Sequence, residues 1–217
     1  KTLHQPHFFS WSRFDEARNI DFHGYAIVRP EGVVLIDPMP MSAHDLAHLD
    51  ALGPVVAVVV TNSDHTRAVQ ELAARSGAAV LGPRAEAASF PIPCTRFLGE
   101  GDEVLPGIVA VELHGSKTPG EIALVVDGTT LITGDLIRAH RAGALTVLPD
   151  AKLADRARAI ESVQRLAALS AIDAVLGIVL HGSAYMTMNC GKRWLATGAR
   201  GNVLSIITTY AWTGSAM

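Results

Sequence analysis

The chain has 217 residues, of which 49% are hydrophobic and 18% charged, with a formal net charge of −3. This length and apolar content suit one folded domain with a sizeable core and exclude a disordered chain. The faintly acidic balance lacks the basic footprint of a nucleic-acid binder, and no stretch reaches the roughly 18 apolar residues of a membrane span, so neither is an expected partner.

The chain opens Lys1-Thr2-Leu3-His4 with no apolar signal core, which makes a cytoplasmic location the default expectation. It lacks an initiator Met, so a removed leader stays open. Residues 24–29 (GYAIVR) and 33–37 (VVLID) flank Pro30-Glu31-Gly32 and predict a hairpin that delivers Asp37-Pro38. Ser42 precedes AHDLAHLDAL, whose Leu46, Leu49 and Leu52 have the spacing of a capped amphipathic helix. Residues 55–60 are continuously apolar, as in a strand buried on both faces. TNSDHTR follows, then a predicted helix through Val69, Leu72 and Ala73 that stops at Gly77.

A short strand is expected over 78–81. The segment 90–112 is rich in Pro and Gly with short β runs, and 109–113 predicts a further strand. Residues 121–126 and 130–133 read as a second hairpin across Asp127-Gly128-Thr129. Beyond Gly134-Asp135, Leu153, Ile160, Val163 and Leu166 predict a helix over about 152–169, and 174–180 a buried strand. No solenoid-like period occurs. The pattern predicts a single α/β (α+β) domain over 1–217, with two sheets face to face and helices outside. From about 182 the chain gathers Tyr185, Trp194, Tyr210 and Trp212 among Gly, Ser and Thr, an irregular C-terminal extension that makes a homodimer one expectation. Cys94 and Cys190 are far apart; idle thiols are favoured over one disulfide.

Polar residues punctuate the C-terminal ends of the apolar strands, where open α/β sheets place their sites. Asp37 follows VVLI, Asn62 to Arg67 follow AVVVT, Gly134-Asp135 follow LIT, and His181-Gly182 follow IVL. In this order, VVLIDP, AVVVTNSDH, GSKTPGEIAL, LITGD and LHG resemble the motifs of the metallo-β-lactamase superfamily from about 19 to 182. The resemblance implies a four-layer αββα sandwich. It also implies a metal loop of the form Thr-His-x-His-x-Asp-His, a His before Thr-Pro-Gly, an Asp that bridges two metals, and a final His.

This chain departs from that pattern. With the loop two residues shorter, Asn62 takes the first His position while Asp64 and His65 fall on the family's Asp-His, so the first metal's His-x-His pair is missing. Lys117 stands where the family has the His before Thr-Pro-Gly, and a protonated ammonium cannot bind a cation. Asp64, His65, Asp135 and His181 remain as an implied second-site ligand set suited to one Zn, Mn or Fe ion, with Ca or Mg conceivable. Lys117 could stand in for the first metal and pair with Asp135. Each residue has a plainer alternative. Asp64 can be only an N-cap, His65 a surface residue, Lys117 a solvated cation, and Asp37 and Asp135 loop ties. His4, His7, His23, His44, His48, His114 and His140 show no spacing that demands a metal, with His114 a fallback ligand. Arg67 and Arg138 can meet an anionic group, but surface placement is the favoured expectation.

No Gly-x-Ser-x-Gly elbow, GxGxxG or P-loop is present. The first functional expectation is therefore a hydrolase of an ester or lactone, acyl-homoserine lactones included. In it one metal-activated water attacks, and Lys117 and Asn62 stabilise the developing oxyanion beside Asp64. The alternative is a non-catalytic, metal-free protein that binds a small ligand or a second subunit through the same cluster.

Overall fold

The computed structural model describes residues 1–18, 20–141, 144–177 and 179–180. The expected ligand His181, Cys190 and the predicted extension from about 182 lie outside the described residues. The first half runs β1 (Phe8–Asp15), β2 (Ile20–Arg29), β3 (Gly32–Ile36), α1 (Ala43–Leu52), β4 (Val55–Val59), α2 (Val69–Ser76), β5 (Ala79–Pro83) and β6 (Arg96–Leu98). The second runs β7 (Glu103–Leu105), β8 (Ile108–Leu113), β9 (Glu121–Val126), β10 (Thr130–Thr133), β11 (Ile137–Arg141), β12 (Ala144–Val147), α3 (Arg156–Ala167), β13 (Ala174–Gly177) and β14 (Val179–Leu180).

Among the described residues the strands form two sheets. One has the order β12-β11-β14-β2-β3-β4-β5-β6, with β1 also paired to β2; the other has the order β13-β10-β9-β8-β7. Strands β3 to β6 run parallel, so their C-terminal ends open on one edge, where the polar residues cluster.

The layers follow from side-chain alternation, which sends successive residues of a strand to opposite faces. Val34, Ile36, Ala57 and Val59 meet Ile108, Ala110, Ile122, Leu124 and Val126 in one core between the sheets. The intervening Val33, Leu35, Val58 and Val60 face outward and pack with Leu49 of α1 and with Val69 and Leu72 of α2. On the far side, Leu113, Ala123 and Leu131 pack with Ala159 and Leu166 of α3. A strand covered on both faces has no polar position to alternate with, which is why 55–60 reads as an unbroken apolar run. The result is an αββα sandwich.

Local signals agree with it. Ser42 caps α1 in a capping box with Asp45, and Gly77 ends α2 in the left-handed conformation at φ 73°. The predicted 152–169 helix is shorter; a 3-10 turn at Asp150–Lys152 precedes α3, whose N-cap is Asp155. Residues 174–180 are not one strand. Ala174–Gly177 joins β10 in one sheet, and Val179–Leu180 joins β2 and β11 in the other. Cys94 is a half-buried free thiol, pushed up to about 11 by burial. Among the described residues no helix is long and apolar enough to cross a membrane.

Candidate functional site

At the C-terminal edge of β3, Asp37 is fully buried and holds a left-handed backbone at φ 44°, a conformation unusual for a non-glycine residue. The bonds around it fix that geometry. Its Oδ1 accepts Thr61 N at 2.7 Å, and its Oδ2 accepts Thr61 Oγ1 at 2.5 Å and stands 2.7 Å from His65 Nδ1. Asp37 thus ties the end of β3 to the loop after β4.

That loop makes a 3-10 turn, Ser63–His65, capped by Asn62, whose side chain accepts Asp64 N at 3.0 Å. The cap is therefore Asn62, not Asp64, and α2 begins at Val69, its N-cap Ala68 making no side-chain cap bond. Asp64 projects outward, with its side chain 52% exposed. His65 turns inward and is buried, against the surface alternative. Its Nε2 lies 3.3 Å from Asp135 Oδ2, so the imidazole lies between two carboxylates. Burial opposes its charged form, but Asp37 and the hydrogen bonds to Asp135 and Asp37 outweigh it and raise the pKa to about 9. The two flanking carboxylates thus favour the imidazolium form of His65.

Asp135 follows Gly134 at the end of β10. Glycine is required there because a Cβ at 134 would lie 2.7 Å from Thr61 Oγ1 and 3.1 Å from Glu121 Oε1. Lys117 comes from the turn between β8 and β9. Its Nζ lies 2.6 Å from Asp135 Oδ2 and 2.5 Å from Asp64 Oδ2. Asn62 Nδ2 donates to Asp135 Oδ2 at 3.4 Å. Burial opposes ionisation of Asp135, yet the bond and charge of His65, then Lys117, hold its carboxyl well below the usual range. Lys117 is raised, its desolvation outweighed by Asp135 and Asp64.

Two buried glutamates brace the arrangement. Glu121 Oε1 accepts Asp135 N and Leu136 N, both at 2.8 Å, and its Oε2 accepts Ser116 Oγ at 2.6 Å. Burial and the charge of Asp135 raise its pKa against those bonds. Glu86 accepts Ser63 N at 2.8 Å and Gly120 N at 3.1 Å, linking the Asp64 loop to the Lys117 turn. The sequence reading singled out neither. Glu121 had one usable signal, a carboxylate heading an otherwise apolar strand; Glu86 had none.

These groups open into a cleft of about 580 Å³ whose walls include Phe22, Met39, Asp64, His65, Arg67, Lys117, Asp135 and Arg138. Arg67 and Arg138 belong to that wall, which corrects their expected surface placement. Arg67 stacks over Phe22 at 4.9 Å, and Arg138 Nη2 lies 3.8 Å from Asp135 Oδ1 with its side chain 13% exposed. A second cavity of about 330 Å³ lies between β1 and α1 beside Trp11, Met41 and Leu49. It is mainly apolar and brings together no comparable set of charges, so the candidate site is the first.

Among the described residues the donor chemistry does not suit a divalent ion. Metal ligands must offer lone pairs, and a protonated imidazole or ammonium has none. Both His65 nitrogens face carboxylates, and the same Asp135 and Asp64 oxygens that would bind a cation take the Lys117 ammonium. Among the described residues no group of three or more His, Cys, Asp or Glu side chains is arranged to hold a metal. His114 N bonds Ser162 Oγ beside α3, and His114 is not part of the cleft wall.

Comparison with known proteins agrees with the architecture. The family model of the metallo-beta-lactamase superfamily matches residues 1–198. Among solved structures, TTHA1623 in a di-iron-bound form is 24% identical, with a TM-score of 0.54 over 72% of this chain and 85% of that one. ETHE1 from Myxococcus xanthus is 22% identical, with a TM-score of 0.57 over 80% and 76%. A metallo-beta-lactamase from Erythrobacter litoralis, with beta-mercaptoethanol in its active site, is 18% identical, with a TM-score of 0.65 over 81% and 87%. At these identities the likeness is one of fold. No curated protein matches the sequence.

Proposed function

The chain belongs to the metallo-beta-lactamase superfamily, a family of hydrolase type, and on that premise we propose that it binds a small molecule in its cleft without a metal ion. One observation carries this reading: Lys117 Nζ is within hydrogen-bond distance of both Asp64 and Asp135. A zinc ion needs carboxylate oxygens at about 2.0–2.2 Å, and it would have to expel the ammonium from between those two carboxylates. The imidazolium of His65 supplies a second positive charge on the other side of Asp135. The cluster already balances its carboxylates, which favours a preformed metal-free binding site. Melting curves with Zn²⁺, Mn²⁺ or EDTA test this. A metal present at 100-fold its Kd adds about 2.7 kcal/mol of stability; the expected result is no shift, and metal-dependent stabilisation of that size would sink the reading.

A second reading keeps the family's chemistry, hydrolysis of an ester or lactone such as an acyl-homoserine lactone, without the metal. Asp64 favours it, being half exposed at the cleft mouth beside the Lys117 ammonium. The Asp64 carboxylate would take the proton of an attacking water as the new C–O bond forms, and Lys117 would face the oxyanion. The proton then passes to the departing alkoxide as the ester C–O bond breaks. Turnover of a lactone panel in EDTA, lost in Asp64→Asn, is the supporting outcome. Turnover that EDTA abolishes rules it out.

A further inference from the structure

We propose that the cleft is an anion site in which Arg67 anchors the carboxylate or phosphate of a small organic molecule. This deepens the metal-independent reading above and rests on it.

Arg67 directly follows the loop that carries Asp64 and His65, and it differs from the other cations around it. Lys117 is matched by Asp64 and Asp135, Arg138 lies 3.8 Å from Asp135, and Arg18 lies 3.3 Å from Asp15. Among the described residues Arg67 forms no ion pair, and its buried Nη1 has no hydrogen-bond acceptor. A buried donor left unmatched costs about 1–3 kcal/mol, more when charged, and a bound anion would supply the acceptor that the described residues do not.

The geometry around Arg67 narrows what that acceptor is. Its guanidinium stacks over the Phe22 ring, 4.9 Å from the centroid. With one face taken by the ring, its hydrogen-bonding direction is the edge of the planar fork, the edge that fits a carboxylate or phosphate with two parallel bonds. Arg18, Arg67, Lys117, Arg138 and Lys152 line the cleft against Asp15, Asp64 and Asp135, so cations outnumber carboxylates there and the field is positive. Ile20, Phe22 and Met39 add an apolar wall, so the site suits an organic anion with an apolar body over a bare inorganic ion. A volume of about 580 Å³ is that of a small-molecule site.

The test is isothermal titration of the full chain at low ionic strength with benzoate, phenyl phosphate and, as neutral isostere, benzamide. At least about tenfold tighter binding of an anion than of benzamide is expected, about 1.4 kcal/mol, and the stronger anion identifies the group. Arg67→Gln should erase that preference, whereas Arg75→Gln, an exposed cation paired with Asp50, should preserve it. If Arg67→Gln does not fold, the wild-type preference and its weakening by added NaCl carry the test. Equal binding of benzamide and benzoate, no binding of either anion, or an unchanged preference in Arg67→Gln would overturn the proposal. Metal content of the same sample separates the two ideas. Anion preference together with stoichiometric metal sinks only the metal-free reading, and no anion binding in metal-free protein sinks only this one.

Discussion

The Lys117 ammonium stands 2.6 Å from the Asp135 carboxylate. Asp135 is almost fully buried, and its Oδ2 also faces His65 Nε2, so one carboxylate oxygen lies between two organic cations. A buried carboxylate is tolerated only when its charge is matched, and here the chain supplies both matching charges itself. The arrangement ties together the ends of β4 and β10 and the turn between β8 and β9.

Removing Lys117 leaves Asp135 with His65, Asn62 and the more distant Arg138, and takes away the ion-pair partner of Asp64. Breaking a buried pair typically costs about 3–5 kcal/mol. Because His65 stays and Asp64 is half exposed, Lys117→Ala should fall at or below the lower end of that range in urea unfolding. Wild-type stability in Lys117→Ala would mean that the pair holds nothing together.

The cluster also sets a pH window. The His65 pKa is raised from 6.5 to about 9, so its contribution is fully present below 6.5 and is lost as pH rises through about 9. Such a shift corresponds to roughly 3 kcal/mol. Asp135 is depressed from 3.8, so its contribution is present above that value and is lost as pH falls further. The joint contribution of His65 and Asp135 should therefore be flat from about 4 to 6.5 and decline from there to about 9. NMR titration of the His65 ring checks this directly; a midpoint near 6.5 would contradict it.

Glu121 separates charge from hydrogen bonding. Its Oε1 accepts two backbone N–H groups, and a glutamine oxygen can accept the same two. Glu121→Gln should cost less than about 1 kcal/mol. Glu121→Ala strands both buried donors, at about 1–3 kcal/mol each. Equal unfolding midpoints for the two variants would show that Glu121 does not brace Asp135.

Gly134 tests the closeness of the packing. A methyl group there would meet Thr61 Oγ1, which is held by Asp37 and cannot retreat without breaking that bond. Gly134→Ala should cost about 1–3 kcal/mol, the range of an overpacked core, measured by thermal unfolding. An unchanged melting temperature would place Thr61 elsewhere.

Much of the fold was legible because burial imposes patterns. The apolar run 55–60 announces a strand covered on both faces, and Ser42 with Asp45 announces the start of α1. β1 was not legible. Its FFSWSRFD mixes polar and aromatic residues, because it pairs with β2 along its whole length and its ladder, more than its side chains, defines it. The split of 174–180 between two sheets leaves no mark in a continuous apolar string.

At the site, the strand-end positions of Asp37, His65 and Asp135 pointed to a convergence, and the change to Lys117 pointed to a missing metal ligand. What pattern could not supply was direction. Whether Asp64 or His65 turns inward depends on the 3-10 turn capped by Asn62. The burial of Arg67 depends on Phe22, distant in sequence.

The most direct test of the central claim is elemental analysis of protein purified without chelators or affinity metals and then soaked with Zn²⁺ and Mn²⁺, beside an Asp64→Ala/His65→Ala control. A site closed by Lys117 and the His65 imidazolium predicts far less than one equivalent of metal in both proteins. Near one equivalent in the wild type, lost in the control, would contradict it and return the cleft to metal-dependent chemistry.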